Sequence, residues 1–219
     1  MPPKSEPPRL PVTLPALLLG ALCSGFIFIR LGVPAAILYV SFFVLGTACT
    51  YFHYDRKSAA SLLDEPGGQR GIASIVARSV APVAFSIMKS PVPFVAAMAQ
   101  MTFDSVASET GKGIGCATFD VIQLKRVAPE SPGGVFVAGT VGGLAGAATI
   151  TGMAVALGVI GARSIPGCIG IATGVSLLES VVWSALPAAW VASHCKTVKH
   201  ILNGTMGLAA GLIATIGAG

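Results

Sequence analysis

The sequence predicts an all-α membrane protein: a polytopic helical bundle of about seven transmembrane helices with its N-terminus in the cytoplasm. Three observations carry that prediction. The first is composition. Of 219 residues, 53% are hydrophobic and only 11% charged, whereas a water-soluble domain carries about 25% charged residues. Mean hydropathy is +0.80, so most of the surface must face lipid. The second is the length of the apolar stretches, and the third is the placement of the basic residues between them. The 27 glycines, set against 7% aromatics, suit close-packed helices. A β-barrel would need short alternating strands and aromatic girdles.

Residues 1–11, MPPKSEPPRLP, are Pro-rich and read as a disordered N-terminus, with 12–219 as one integral-membrane domain. The apolar run that follows lacks a cleavage site and is read as the first span rather than a signal peptide. A span needs about 20 apolar residues. Seven stretches meet or approach that: roughly 12–29, 32–52, 71–88, 92–108, 133–160, 165–192 and 201–218. The third and fourth are weakest, because Arg78, Asp104 and several serines interrupt them. The fifth and sixth are longer than required, so tilt or a break at Pro187 is expected. Gly139/Gly143 and Gly142/Gly146 in the fifth span form small-xxx-small patterns, repeated by Gly170/Gly174 and Gly207/Gly211. Such pairs let helix backbones approach closely.

Loop charge tests the division. With the N-terminus inside, ten of the 14 Lys and Arg residues fall on the cytoplasmic side and three outside, with Arg78 within a span. That bias fits the positive-inside rule. It also accounts for the net charge of +5 without nucleic acid, for which no aromatic-basic pattern exists. The cytoplasmic loops, roughly 53–70, 109–132 and 193–200, hold most of the acids and all three histidines, so any chemistry belongs there. The five cysteines are widely separated and form no CxxC, which favours buried small hydrophobes over a disulfide or zinc site.

Acids inside a membrane are costly and face a protein interior or a cavity. This chain places two, Asp104 in span four and Glu179 in span six. Asp104 begins the run Asp104-Ser105-Val106-Ala107-Ser108-Glu109-Thr110-Gly111-Lys112. On a helix Ser105, Glu109 and Lys112 share a face, with Asp104 and Ser108 beside them. Two carboxylates at a membrane edge suit Mg²⁺ held jointly with phosphate oxygens. The loop continues through Asp120 and Lys125-Arg126 to Pro132-Gly133-Gly134 at the next span. Cations, Gly-freed amides and a helix N-terminus are parts of a phosphate site. Gly111-Lys112-Gly113 lacks the spacing of a Walker A loop. Phe103-Asp104-Ser105-Val106 is faintly echoed by Leu178-Glu179-Ser180-Val181.

The order Asp104-Ser-x-Ala-Ser-Glu109-x-Gly111, then Lys125-Arg-Val, then Gly133-Gly134-Val resembles the phytyl-phosphate kinase / transmembrane protein 19 family of polyprenyl-lipid enzymes. The likeness runs over most of the chain. It takes in Leu45-Gly46-Thr47, Arg56-Lys57, Gly68-Gln69-Arg70, Glu179-Ser180 and His200-Ile-Leu-Asn203. Arg78 stands where the family pattern has Asn, Glu179 where it has Asp, and Ser131-Pro132 replaces a polar pair. The resemblance implies phosphoryl transfer from a nucleoside triphosphate, CTP in related isoprenoid kinases, to an isoprenyl or phytyl monophosphate, giving the diphosphate. It implies Asp104 and Glu109 as Mg²⁺ ligands, with Asp120 or Glu179 assisting. Arg70, Lys112, Lys125 and Arg126 would hold phosphates, with Ser105, Ser108, Gly111 and Ser180 in the same site. Gly133 and Gly134 would let backbone amides approach the nucleotide, and Asn203 would orient a phosphate or ribose. The alternatives are a CTP-dependent lipid-phosphate cytidylyltransferase, a transporter, or a non-catalytic member of the family.

Overall fold

The computed structural model of the chain describes residues 10–63, 65–115, 117–128, 131, 133–186 and 188–217. The N-terminus through residue 9, Pro132 and the expected break at Pro187 lie outside the described residues. The chain begins with α1 (Leu14–Leu31) and α2 (Val33–Tyr51), joined by Gly32 alone at φ 85° and ψ 178°. Only glycine adopts that conformation readily, so the turn depends on it. α1, α2, α5 and α7 each carry proline in the first turn, where a missing N–H removes no helical hydrogen bond.

A short α3 (Tyr54–Ala59) and a 3₁₀ turn at Pro66–Gly68 lead to α4 (Ile72–Ile87) and α5 (Pro91–Ile114). Three short strands follow: β1 (Thr118–Asp120), β2 (Arg126–Val127) and β3 (Gly134–Phe136). They form an antiparallel sheet in the order β2-β1-β3, with Phe119 opposite Arg126 and Val135. The chain ends with α6 (Val137–Ala156), α7 (Ile165–Ala185) and α8 (Ala188–Gly217). The all-α polytopic class therefore stands, with a small sheet that the sequence reading did not expect.

Five helices, α1, α2, α6, α7 and the Lys196–Gly217 part of α8, are long and apolar enough to cross a membrane. The exceptions are the two spans that looked weakest. α4 has 16 residues and an amphipathic pattern: Ser74, Arg78, Ser79 and Pro82 are buried, while Val76, Val80 and Ile87 are exposed. α5 has 24 residues, and all ten from Phe94 to Phe103 are buried. It packs against α2, α4, α6, α7 and α8. A helix wrapped on every side needs no lipid-facing surface, so it tolerates polar residues that a peripheral span could not.

Several helix boundaries shift: α6 starts at Val137 after β3 and ends at Ala156, and α7 ends at Ala185. α5 runs on past residue 108 to Ile114, so Glu109 and Lys112 lie on its last turns rather than in a loop. Arg56 Nη1 donates to the Ile114 carbonyl at 2.7 Å, satisfying one of the open acceptors that a helix end leaves. Residues 193–200, expected as a loop, belong to α8. Between Ala188 and Gly204 no Pro or Gly interrupts the sequence, and the lysines expected to mark a loop are good helix formers.

The glycine patterns hold at two of three helices. A Cβ at Gly139 would overlap the Ala107 carbonyl, and one at Gly143 would sit 2.9 Å from the Phe103 carbonyl oxygen. α6 thus lies directly on the α5 backbone. On α8, a Cβ at Gly207 would meet Ala81 at 3.2 Å and one at Gly211 would overlap the Phe85 ring. Gly170 and Gly174 have open space where a Cβ would be, so in α7 the motif packs against nothing among the described residues.

Connectivity gathers the ends of α2, α5 and α7 with the starts of α4, α6 and α8. The segment before α1 joins them: Arg70 N–H donates to the Pro11 carbonyl at 3.0 Å, and Thr13 N–H to the Arg70 carbonyl at 3.0 Å. Gly139→Val should lower the unfolding midpoint in detergent, at a cost of about 1–3 kcal/mol from overpacking. Gly170→Val should stay within roughly 0.5 kcal/mol of the parent, and equal effects at the two positions would refute this account of α6.

Candidate functional site

At the gathered helix ends, α5 supplies the acids. Glu109 is buried and its Oε2 accepts from Lys57 Nζ at 2.6 Å. Lys57 is fully buried on α3 and also donates to the Cys49 carbonyl at 2.8 Å. The pair ties the α2–α4 connection to α5. A buried ion pair is not a strong net stabiliser, but breaking it leaves an uncompensated charge.

Arg70 is placed by its two backbone hydrogen bonds and by a gap in α2. A Cβ at Gly46 would stand 2.7 Å from Arg70 Nη2. Thus Gly46, within the sequence stretch that resembled the family, makes room for a buried guanidinium. Arg78 on α4 donates from Nη1 to Ser74 Oγ at 2.7 Å, one turn back on the same helix. Glu179 on α7 is buried and accepts from Gln100 Nε2 at 3.4 Å, and Gln100 Nε2 also reaches Ser176 Oγ at 3.4 Å. Asp104, Lys199 and Arg78 all lie within electrostatic range of Glu179.

Two cavities open here. The smaller, about 50 Å³, is lined by Arg70, Ser105 and Glu109 together with Thr50, Ser74, Arg78 and His200. The larger, about 400 Å³, is lined by Lys112, Gly133, Gly134, Glu179 and Ser180 together with Phe103, Phe136 and Trp183. Asp104, Ser108, Lys196, Lys199 and Asn203 line both. The two acid-serine pairs that echoed each other in sequence, Asp104-Ser105 and Glu179-Ser180, therefore meet at one site. Gly133, at φ 75°, lies so close to α7 that a Cβ would overlap Ser184 Oγ.

Four expected residues stay outside both cavities. Gly111 is a packing position, where a Cβ would overlap the Phe136 ring. Asp120 closes a turn: its Oδ1 accepts from the N–H groups of Ile122 at 2.9 Å and Gln123 at 2.7 Å. One oxygen of the carboxylate expected to assist Mg²⁺ is thus engaged within the turn. Lys125 and Arg126 are exposed on the β1–β2 hairpin, with the Arg126 guanidinium 5.8 Å from the centre of the Phe119 ring. Strand pairing, which the loop reading did not foresee, carries them away from α5.

Other cavity residues went unrecognised. Lys196 and Lys199 read as loop charges, yet with Asn203 they fall at i, i+3 and i+7 of one helix face. Lys57 lines neither cavity; it entered only through the likeness at Arg56-Lys57, and nothing in the sequence tells that it turns inward.

Ser105 Oγ and Asn203 Nδ2 are buried, and neither has a hydrogen-bond partner among the described residues. An unmet buried polar group costs about 1–3 kcal/mol, so both point to a ligand with oxygen atoms. Among the described residues no three His, Cys, Asp or Glu side chains form a metal-binding group. Asp104 and Glu109 both line the smaller cavity, and Mg²⁺ takes few protein carboxylates, filling its other positions with water and phosphate.

The chain matches the family of integral membrane protein DUF92 over residues 11–215. It is 30% identical over 125 residues to an uncharacterized membrane protein, sll0875, of Synechocystis sp.; the match covers 52% of this chain and 48% of that protein. The chain thus spans about half the length of this curated relative. No solved structure matches it.

Lys57→Met should cost about 3–5 kcal/mol by stranding Glu109. Adding Glu109→Gln should restore most of that loss in a double-mutant cycle of detergent unfolding. Strict additivity of the two changes would rule out the pair as described.

Proposed function

We propose that the chain, which belongs to the integral membrane protein DUF92 family, is a membrane-embedded kinase. It would transfer a phosphoryl group from a nucleoside triphosphate, CTP by resemblance, to an isoprenyl or phytyl monophosphate. The observation that supports this reading best is that two cavities share one polar wall, formed by Asp104, Ser108, Lys196, Lys199 and Asn203. A two-substrate transfer needs two sites that bring the reacting atoms together. A transporter would instead need a polar path to the far side, and the outer halves of these helices are apolar.

Phosphoryl transfer asks mainly for positioning and charge neutralisation. Arg70, Arg78, Lys196 and Lys199 bring positive charge to the smaller cavity, and Lys112 brings it to the larger. Ser105 and Asn203 offer buried polar atoms to phosphate oxygens. Asp104 and Glu109 would hold Mg²⁺, which neutralises phosphate charge when bound. Glu179 and Ser180 line the larger cavity with Gly133 and Gly134. No general base is required, because a lipid monophosphate is an ionised nucleophile at neutral pH. Arg78, which departs from the family pattern, takes a place in the phosphate-facing wall. The charge bias of the loops supports a cytoplasmic face for the site.

Purified protein given phytyl or farnesyl phosphate, Mg²⁺ and each nucleotide in turn should form the lipid diphosphate. Label at the γ-phosphate of CTP should reach the lipid, whereas cytosine label in the lipid would point to cytidylyl transfer instead. Asp104→Asn should lower kcat by on the order of 10²–10³-fold, the scale seen when a key electrostatic contact to a transition state is removed. Chelation of Mg²⁺ should abolish turnover. Full activity in Asp104→Asn, or no diphosphate with any nucleotide, would sink the proposal.

A further inference from the structure

The β1–β2 hairpin takes no part in either cavity, yet it is built with care. Its tip exposes two aliphatic side chains, Ile122 at 52% and Leu124 at 80%. Leu124 sits in the left-handed region at φ 52°, where a bulky side chain is a true outlier. Asp120 holds it there. Besides its two side-chain hydrogen bonds to Ile122 and Gln123, its carbonyl accepts from Leu124 N–H at 2.9 Å, and its N–H donates to the Lys125 carbonyl at 2.9 Å. Lys125 and Arg126 follow directly and are exposed.

A rigid turn that presents aliphatic groups to the exterior, with two cations behind them, is suited to the boundary layer of a bilayer. There the apolar tips enter the acyl edge while the cations meet headgroup phosphates. Connectivity puts the hairpin at that level. Three residues separate Ile114, the end of α5, from β1, and β3 runs directly into α6 at Val137. Val137 and Val141 on α6 are each 64% exposed, as expected of a lipid-facing helix surface. We propose that this hairpin is an anionic-lipid-binding element, with Ile122 and Leu124 inserted at the membrane surface and Lys125 and Arg126 on lipid phosphates. The inference stands apart from the kinase reading. It has a consequence for the site, because β1 pairs with β3 and Gly134, Val135 and Phe136 of β3 line the larger cavity.

The test replaces Leu124 with photoreactive p-benzoylphenylalanine in the full chain, held in nanodiscs of phosphatidylcholine alone or mixed with phosphatidylglycerol. The same replacement at Val141 serves as the lipid-facing control. Irradiation should give lipid adducts at both positions. In mixed discs the ratio of phosphatidylglycerol to phosphatidylcholine adducts at position 124 should exceed the ratio of the two lipids in the disc by on the order of tenfold. Lys125→Glu with Arg126→Glu should remove that preference and leave the adducts at position 141 unchanged. Adducts only within the chain, adducts to another protein, absence of adducts at 124, or a preference that survives charge reversal would each overturn the proposal.

Discussion

The enclosure of α5 is the constraint on which the rest depends. This helix carries Asp104, Glu109 and Lys112, and a helix with those charges cannot face lipid. Five other helices take its place at the boundary. Glycines on α6 bring a helix backbone directly onto it, which leaves little room for misalignment between the two. Because α5 is fixed on all sides in its apolar half, its polar end is held where the other helix ends converge. The cavities are the space left at that convergence.

Charge inside this end of the bundle is arranged rather than merely tolerated. Lys57 answers Glu109 directly, while Glu179 accepts from the neutral amide of Gln100. The remaining cations, Arg70, Arg78, Lys196 and Lys199, ring the smaller cavity. Acids and bases thus lie together around a common space. Such a layout suits a ligand that carries negative charge and brings a cation with it.

Much of this was legible in the sequence. The apolar stretches and loop charges place the membrane helices, and the run from Asp104 to Lys112 reads as one polar helix face. What escaped had physical causes. The weak hydropathy of α4 and α5 marks an amphipathic helix and an interior one, a distinction that composition alone does not make. Residues 118–136 hold too few alternating positions to announce strands, so Asp120, Lys125 and Arg126 read as parts of a phosphate loop rather than of a hairpin. Lys196, Lys199 and Asn203 read as loop and boundary residues, because two lysines beside a histidine signal an exit from the membrane as strongly as a helix start. The glycines of α7 match those of α6 in spacing, and only the neighbouring atoms tell a packed glycine from an open one.

The shared wall draws Asp104 and Ser108 from the centre of the chain, but Lys196, Lys199 and Asn203 from α8. During synthesis α8 is the last of these helices to leave the ribosome. Until it docks against α4 and α5, the wall lacks both lysines and the asparagine. A nascent chain with every earlier helix already inserted would therefore hold its acids without the groups that complete the site. Binding competence would arrive in a single step, when α8 docks.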